Sequence, residues 1–297
     1  MVKWKKNLFK VPTGKIGQEF ISEVSKTITL FTSGSHLESV ALTMVMIMFP
    51  LLLQKPSRAS KSKDHIKFLE ARLASWKSGD LLKLLKECNA IQDRLHRSKM
   101  KSVDPVKIFT RLMLQGKVSA ALRWIGSQSS SLLEATPEVI DVLKSKHPTA
   151  APTLDCGILQ GPATKVEDVI FESIDANTIL SVAKKISGSA GPSGADSEIW
   201  KRILCSKQFK KKPDQLCQCV ADLSKKLSCK VIDPHHLGAY TAGRLIPLYK
   251  NPGVRPIGIG EVLRRIVGKA VTKVLKLDII NSTAPIYTGL WGPAGRS

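Results

Sequence analysis

Apolar residues recur at helical spacing along much of the chain, and capping residues mark where the helices should begin. Ile66, Leu69, Leu73 and Trp76 make one face, with Asp64 as its expected cap. Leu81, Leu85, Cys88, Ile91 and Leu95 make the next, behind Asp80. Asp104-Pro105 and Thr136-Pro137 are two more start signals, each a capping residue followed by Pro at the first helical position. The helix after Thr136 should stop before Pro148, and the Ser127–Ser131 run predicts a loop. Val40–Leu53 is the strongest apolar run, but its 14 residues include Pro50 and are closed off by Glu38 and Lys55. A membrane span needs about 20 apolar residues. The run therefore predicts a buried helix and no membrane partner.

The second half carries a different pattern. Ser187–Gly194 predicts a Gly/Ser loop, followed by Asp196 and a helix through Trp200 and Leu204. Asp214 opens another helix, with Leu216, Val220, Leu223 and Leu227 on one side. Arg244–Lys250 and Val254–Gly260 then read as two short strands around the turn chemistry of Asn251-Pro252-Gly253. Prolines within these strands belong at an edge or a bulge. Glu261–Lys276 reads as a helix with Leu263, Ile266, Ala270, Val274 and Leu277 on its apolar face. Arg265, Lys269 and Lys273 follow at intervals of four, as a basic stripe. The expected fold class is thus mostly α with a small β-hairpin, that is, α+β.

Charge narrows the partner class. The chain has 297 residues, 46 Lys plus Arg against 24 Asp plus Glu, and a formal net charge of +22. Such a surplus points to a polyanion. It is unevenly spread. Residues 1–124 carry 23 basic and 9 acidic side chains, residues 125–183 carry 3 and 8, and residues 184–276 carry 19 and 6. The acidic middle contains the best linker, His147–Pro152, and sets a soft boundary near residues 148–160. The expected division is a helical region over 1–150, a second region over 160–280 and a disordered or aberrant tail over 281–297. Lys55–Lys63 reads as an exposed basic loop. Hydrophobic residues at 43% suffice for a core, and 5% aromatics are thin for reading single strands by stacking. Six cysteines are too sparse for a disulfide scaffold, and no secretory h-region follows the basic start. These features predict an intracellular protein, nuclear or cytoplasmic.

Several chemical motifs fail on spacing. Gly258-x-Gly260 lacks the third glycine of a dinucleotide fingerprint, and Gly268-Lys269 lacks the Ser/Thr and upstream glycine of a phosphate-binding loop. Cys217, Cys219, Cys229, His235 and His236 do not follow a zinc pattern, because Cys217 and Cys219 diverge on one helix. No catalytic constellation and no metal site is expected. The informative stretch is Arg244–Lys269, RLIPLYKNPGVRPIGIGEVLRRIVGK. A Pro-Gly hairpin can lay Lys250 and Arg255 over a phosphate, the one a mobile point charge and the other a planar fork. The same pair would equally serve as ordinary solvated cations.

This stretch resembles the fingers region of retroelement reverse transcriptases, the group that includes non-LTR retrotransposons. Those enzymes carry an R-L-I-P-L-x-K strand, a turn, R-P-I and a helix. Ala190–Asp196 and Trp200–Leu204 are similar to the segment upstream of those strands. Gln54-Lys55-Pro56 and Leu73–Lys77 resemble the leader of such elements. The likeness runs to about residue 280 and is most specific over 190–204 and 244–269. It implies a partial fingers subdomain in which Lys250 and Arg255 hold nucleotide phosphate. It also implies that Arg244, Arg264, Arg265, Lys269 and Lys273 face RNA or DNA backbone. A complete homologue would use Mg²⁺ held by palm carboxylates. Here only Asp278 follows Glu261, and no aromatic-x-Asp-Asp occurs. No cofactor is therefore expected in this chain. The expectation is a truncated RNA-directed DNA polymerase, inactive alone but able to bind nucleic acid. The alternatives are a basic helical scaffold for an acidic protein, or a degenerate product without a selected function.

Overall fold

The computed structural model describes residue 4 and residues 7–57, 59–97, 104–129, 132–147, 167–250 and 253–276. Within them lie α1 (Lys15–Thr32), α2 (Glu38–Leu52), α3 (Ser62–Lys77), α4 (Leu81–Arg97), α5 (Pro105–Leu114), α6 (Val118–Ser129) and α7 (Pro137–Ser145). After these come α8 (Asp168–Glu172), α9 (Ala176–Lys185), α10 (Ser197–Cys205), α11 (Lys212–Cys229) and α12 (Gly238–Thr241). The strands β1 (Gly243–Tyr249) and β2 (Val254–Gly260) precede α13 (Val262–Val274). The protein is mostly helical with one two-stranded antiparallel sheet, as the α+β expectation has it.

The chain divides into two compact units, and neither is a single stretch of sequence. One is Met1–Asp93, Thr164–Ala242 and Gly260–Ser297; the other is Arg94–Ala163 and Gly243–Ile259. This differs from a linear boundary at 148–160. The physical reason is that α1 packs on α11 as well as on α2, and Phe49 of α2 meets Trp200 of α10, so segments distant in sequence share one core. Phe49 lies between Phe20 and Trp200, with ring centroids 5.8 and 5.1 Å away. The linker residues 148–152 and the tail 281–297 fall outside the described residues.

The first unit is built around α2. Its side chains are apolar on nearly every side, so its C-terminal carbonyls are buried with it and need donors. Arg72 of α3 supplies them, with Nη1 donating to the carbonyls of Leu52 (3.2 Å) and Gln54 (2.6 Å). Its Nε and Nη2 donate to Glu87 of α4 at 3.0 and 2.6 Å. Arg72 is only 1% exposed, and a guanidinium at a helix C-terminus also opposes the helix dipole. The Cys88 thiol reaches the Leu51 carbonyl, with Sγ to O 3.4 Å. Lys226 of α11 repeats the device at the end of α1, reaching the Phe31 carbonyl at 2.5 Å and Glu38 at 2.8 Å.

Helix starts follow their caps. Asp80, Asp104, Thr136 and Asp196 each accept a backbone N–H from the first turn that follows. Asp64 does not stand at the cap. It lies inside α3 and accepts from the Lys61 N–H at 2.8 Å, the inner half of a capping box. In α4 Leu84 and Leu95 are buried, whereas Leu85, expected on the apolar face, is 37% exposed. Residues 127–129, expected as loop, continue α6. No helix among the described residues is long and apolar enough to cross a membrane.

The second unit holds α5, α6, α7 and the hairpin. Leu132 bridges to Leu248, and the Leu133 N–H donates to the Pro247 carbonyl at 3.1 Å. Lys146 Nζ donates to the Val254 carbonyl at 2.5 Å.

Replacing Arg72 by Met should lower the unfolding free energy by about 3 kcal/mol in denaturant titration, because the buried carbonyls lose their donor. An unchanged midpoint would contradict this role. Burial pushes the Cys88 thiol up to about 11 and the Cys217 thiol up to about 12. In the unfolded chain both ionise near 8.5. Stability is therefore fully present below that pH and is lost as pH rises toward 11 and 12, by about 3 kcal/mol or more per thiol. Thermal midpoints of a Cys88→Ala variant should fall less steeply over this window than those of the parent.

Candidate nucleic-acid interface

The hairpin's register follows from its closing bond. The Lys250 N–H donates to the Gly253 carbonyl at 2.9 Å, and Gly253 supplies a positive φ of 101° there. Continued as a regular antiparallel ladder, this sets Leu248 opposite Arg255 and Pro247 opposite Pro256. The two prolines then meet at a pair whose N–H groups point away from the partner strand, so neither missing donor breaks the ladder. The outward carbonyls of Pro247 and Val254 are the ones taken by Leu133 and Lys146, as this register requires. Residues 251 and 252, the heart of the expected turn, lie outside the described residues.

In this register Arg244, Leu248, Lys250 and Arg255 share one face. Lys250 and Arg255 are diagonal neighbours at the turn end of the hairpin, and both are exposed. Neither is paired with a carboxylate among the described residues. Arg244 is about 20 Å farther along the strand and half-buried.

The α13 cations belong to the other unit, so the expected site residues fall into two groups. Three of the four on α13 bond to the protein itself. Arg264 Nη1 donates to the Thr241 carbonyl at 3.3 Å, and Lys273 Nζ donates to Ser181 Oγ at 2.7 Å. Arg265 spends its fork on the loop before α10, with Nη1 to the Ser187 carbonyl at 2.8 Å and Nη2 to the Ser189 carbonyl at 2.5 Å. One turn earlier, buried Glu261 accepts from the Ser193 N–H at 2.6 Å and from its hydroxyl at 2.7 Å. Glu261 and Arg265 thus clamp the loop at both ends. Gly188 is required there, because its φ is 111° and a Cβ would sit 2.3 Å from Arg265 Nη1. Lys269 is exposed and, among the described residues, free of protein partners.

The cysteine and histidine cluster does not assemble. Cys217 is buried, and its Sγ lies 3.5 Å from the Leu204 carbonyl. No group of three His, Cys, Asp or Glu side chains that could hold a metal ion occurs among the described residues. Sequence reasoning missed Lys10 and Arg202, which share a cleft with Lys55. Positions this far apart in sequence give no local signal of meeting. No protein-family model, curated protein or solved structure matches the chain.

Arg265→Gln should cost about 1–3 kcal/mol of stability, since two carbonyls lose a charged donor. Lys269→Gln should stay within about 0.5 kcal/mol. Equal effects in urea unfolding would contradict the division of labour along α13.

Proposed function

We propose that this chain is a reverse-transcriptase-like protein of retroelement type, part of whose fingers region lies within residues 160–280. On this reading it binds RNA or DNA through phosphate contacts and does not itself extend a primer. The observation that carries the binding is the pair Lys250 and Arg255, exposed on one hairpin face beside the turn. Two cations held this way suit phosphate oxygens. The two stretches that most resemble the family also support it, because Glu261 and Arg265 of the second bond to the loop that opens the first. The paired magnesium ions of a complete homologue do not fit the described residues, which offer no carboxylate cluster. Such a partner suits an intracellular setting, nuclear or cytoplasmic.

Labelled single-stranded RNA titrated at two salt concentrations tests the binding. Affinity should fall as salt rises, and Lys250→Gln/Arg255→Gln should reduce the log–log slope by about 1.4, or 0.7 per lost contact. Affinity indifferent to salt would refute the electrostatic mechanism. An unchanged slope in the double variant would favour a basic scaffold that meets its partner elsewhere. Primer extension with added Mg²⁺ should yield no product.

A further inference from the structure

The strongest unassigned feature lies in the first unit, in a cleft of about 440 Å³ lined by Phe9–Thr13, Lys55, the first turn of α3 and Arg202. Three cations, Lys10, Lys55 and Arg202, come to it from three separate parts of the chain. No carboxylate lines it. An adjoining cleft of about 470 Å³ shares Phe9, Lys10, Lys55 and Arg202 and adds Lys201, Asp196 and Glu198. Those two carboxylates are occupied. Asp196 caps α10 through the Ile199 N–H at 2.9 Å, and Glu198 pairs with Lys201 at 3.4 Å. None of the three cations forms an ion pair among the described residues.

Their placement is fixed by the fold. Arg202 Nε donates to the Val11 carbonyl at 2.6 Å, and its guanidinium lies over the Phe209 ring at 5.5 Å. Both partners are neutral, so neither offsets its charge. Lys55 follows Gln54, whose carbonyl is held by Arg72, and its own N–H donates to the Asn7 carbonyl at 2.8 Å. Phe9 and His65 stack at 4.5 Å and form a wall. Lys55 also helps hold the His65 pKa below its usual value, behind burial as the main cause and against the opposing pull of Asp64. Gly17 permits the close approach of segment 9–13, since a Cβ there would lie 1.9 Å from the Pro12 carbonyl oxygen.

We propose that this cleft binds a terminal phosphate group, carried either by a free nucleotide or by the 5′ end of a nucleic acid. Three converging cations that form no ion pair among the described residues favour an anion that neutralises them. A terminal phosphate carries about −1.5 to −2 at neutral pH, whereas a backbone phosphodiester carries only one negative charge. The inference does not rest on the hairpin reading, because it uses other residues.

Calorimetric titration with ATP, with inorganic pyrophosphate, and with short RNA bearing a 5′-phosphate or a 5′-hydroxyl tests it. Lys10→Gln/Lys55→Gln should weaken the preferred phosphate ligand at least 10-fold. Neither side chain forms a hydrogen bond or ion pair among the described residues, so folding should be retained, and thermal midpoints check this. Lys67→Gln, an exposed charge on α3, should leave that affinity within about 2-fold. Tighter ATP than RNA binding assigns a free nucleotide; a preference for 5′-phosphorylated over 5′-hydroxyl RNA assigns a strand end. Absence of ATP and pyrophosphate binding, together with no discrimination between the two RNAs, would overturn the proposal. Equal weakening by Lys67→Gln would also overturn it.

Discussion

A helix that is apolar all round buries its own polar ends, and the first unit depends on how α2 resolves that conflict. The carbonyls of Leu51, Leu52 and Gln54 receive hydrogens from Cys88 and Arg72. The same guanidinium ties α3 to α4 through Glu87. Without that donor, α2 could not be sunk among α1, α3 and α4 at a tolerable cost, since each orphaned buried carbonyl costs about 1–3 kcal/mol. The consequence reaches the surface. Arg72 fixes residues 52–54, the next residue is Lys55, and Lys55 stands in the cationic cleft.

Much of the chain's positive charge works inward in this way. Arg72, Lys226, Arg202 and Arg265 all donate to main-chain carbonyls. They hold helix ends and loops, so net charge alone overstates what a polyanion can use. What remains for a ligand is a smaller set: Lys250 and Arg255 on the hairpin, Lys269 on α13, and Lys10 and Lys55 at the cleft, where Arg202 keeps its positive charge although its Nε is bonded to the Val11 carbonyl. The phosphate binding proposed above would therefore rest on these few cations.

Local features were readable from the sequence where the cause was local. Asp80, Asp104, Thr136 and Asp196 announce their helices because a cap acts within three residues. The hairpin is legible because turn chemistry and strand chemistry adjoin. Asp64 misled by three residues, since an acid at the third helical position and an acid at the cap look alike in a string. The unit boundary was not legible, because it depends on which distant helices share a core. The face of α13 was half legible. Its spacing reveals a basic stripe, but only the packed loop at Ser187–Ser189 shows that Arg265 is taken. The cleft was not legible at all, as positions 10, 55 and 202 meet only through the fold.

The central claim is that nucleic acid is held by the cations that the fold leaves unspent. Lysine acetylation footprinting of the whole chain, with and without bound RNA and read by mass spectrometry, addresses it most directly. The account predicts that RNA shields Lys250 and Lys269 while Lys67 and Lys83, exposed on α3 and α4, label as before. Uniform shielding of all four lysines, or shielding of Lys67 and Lys83 alone, would contradict it.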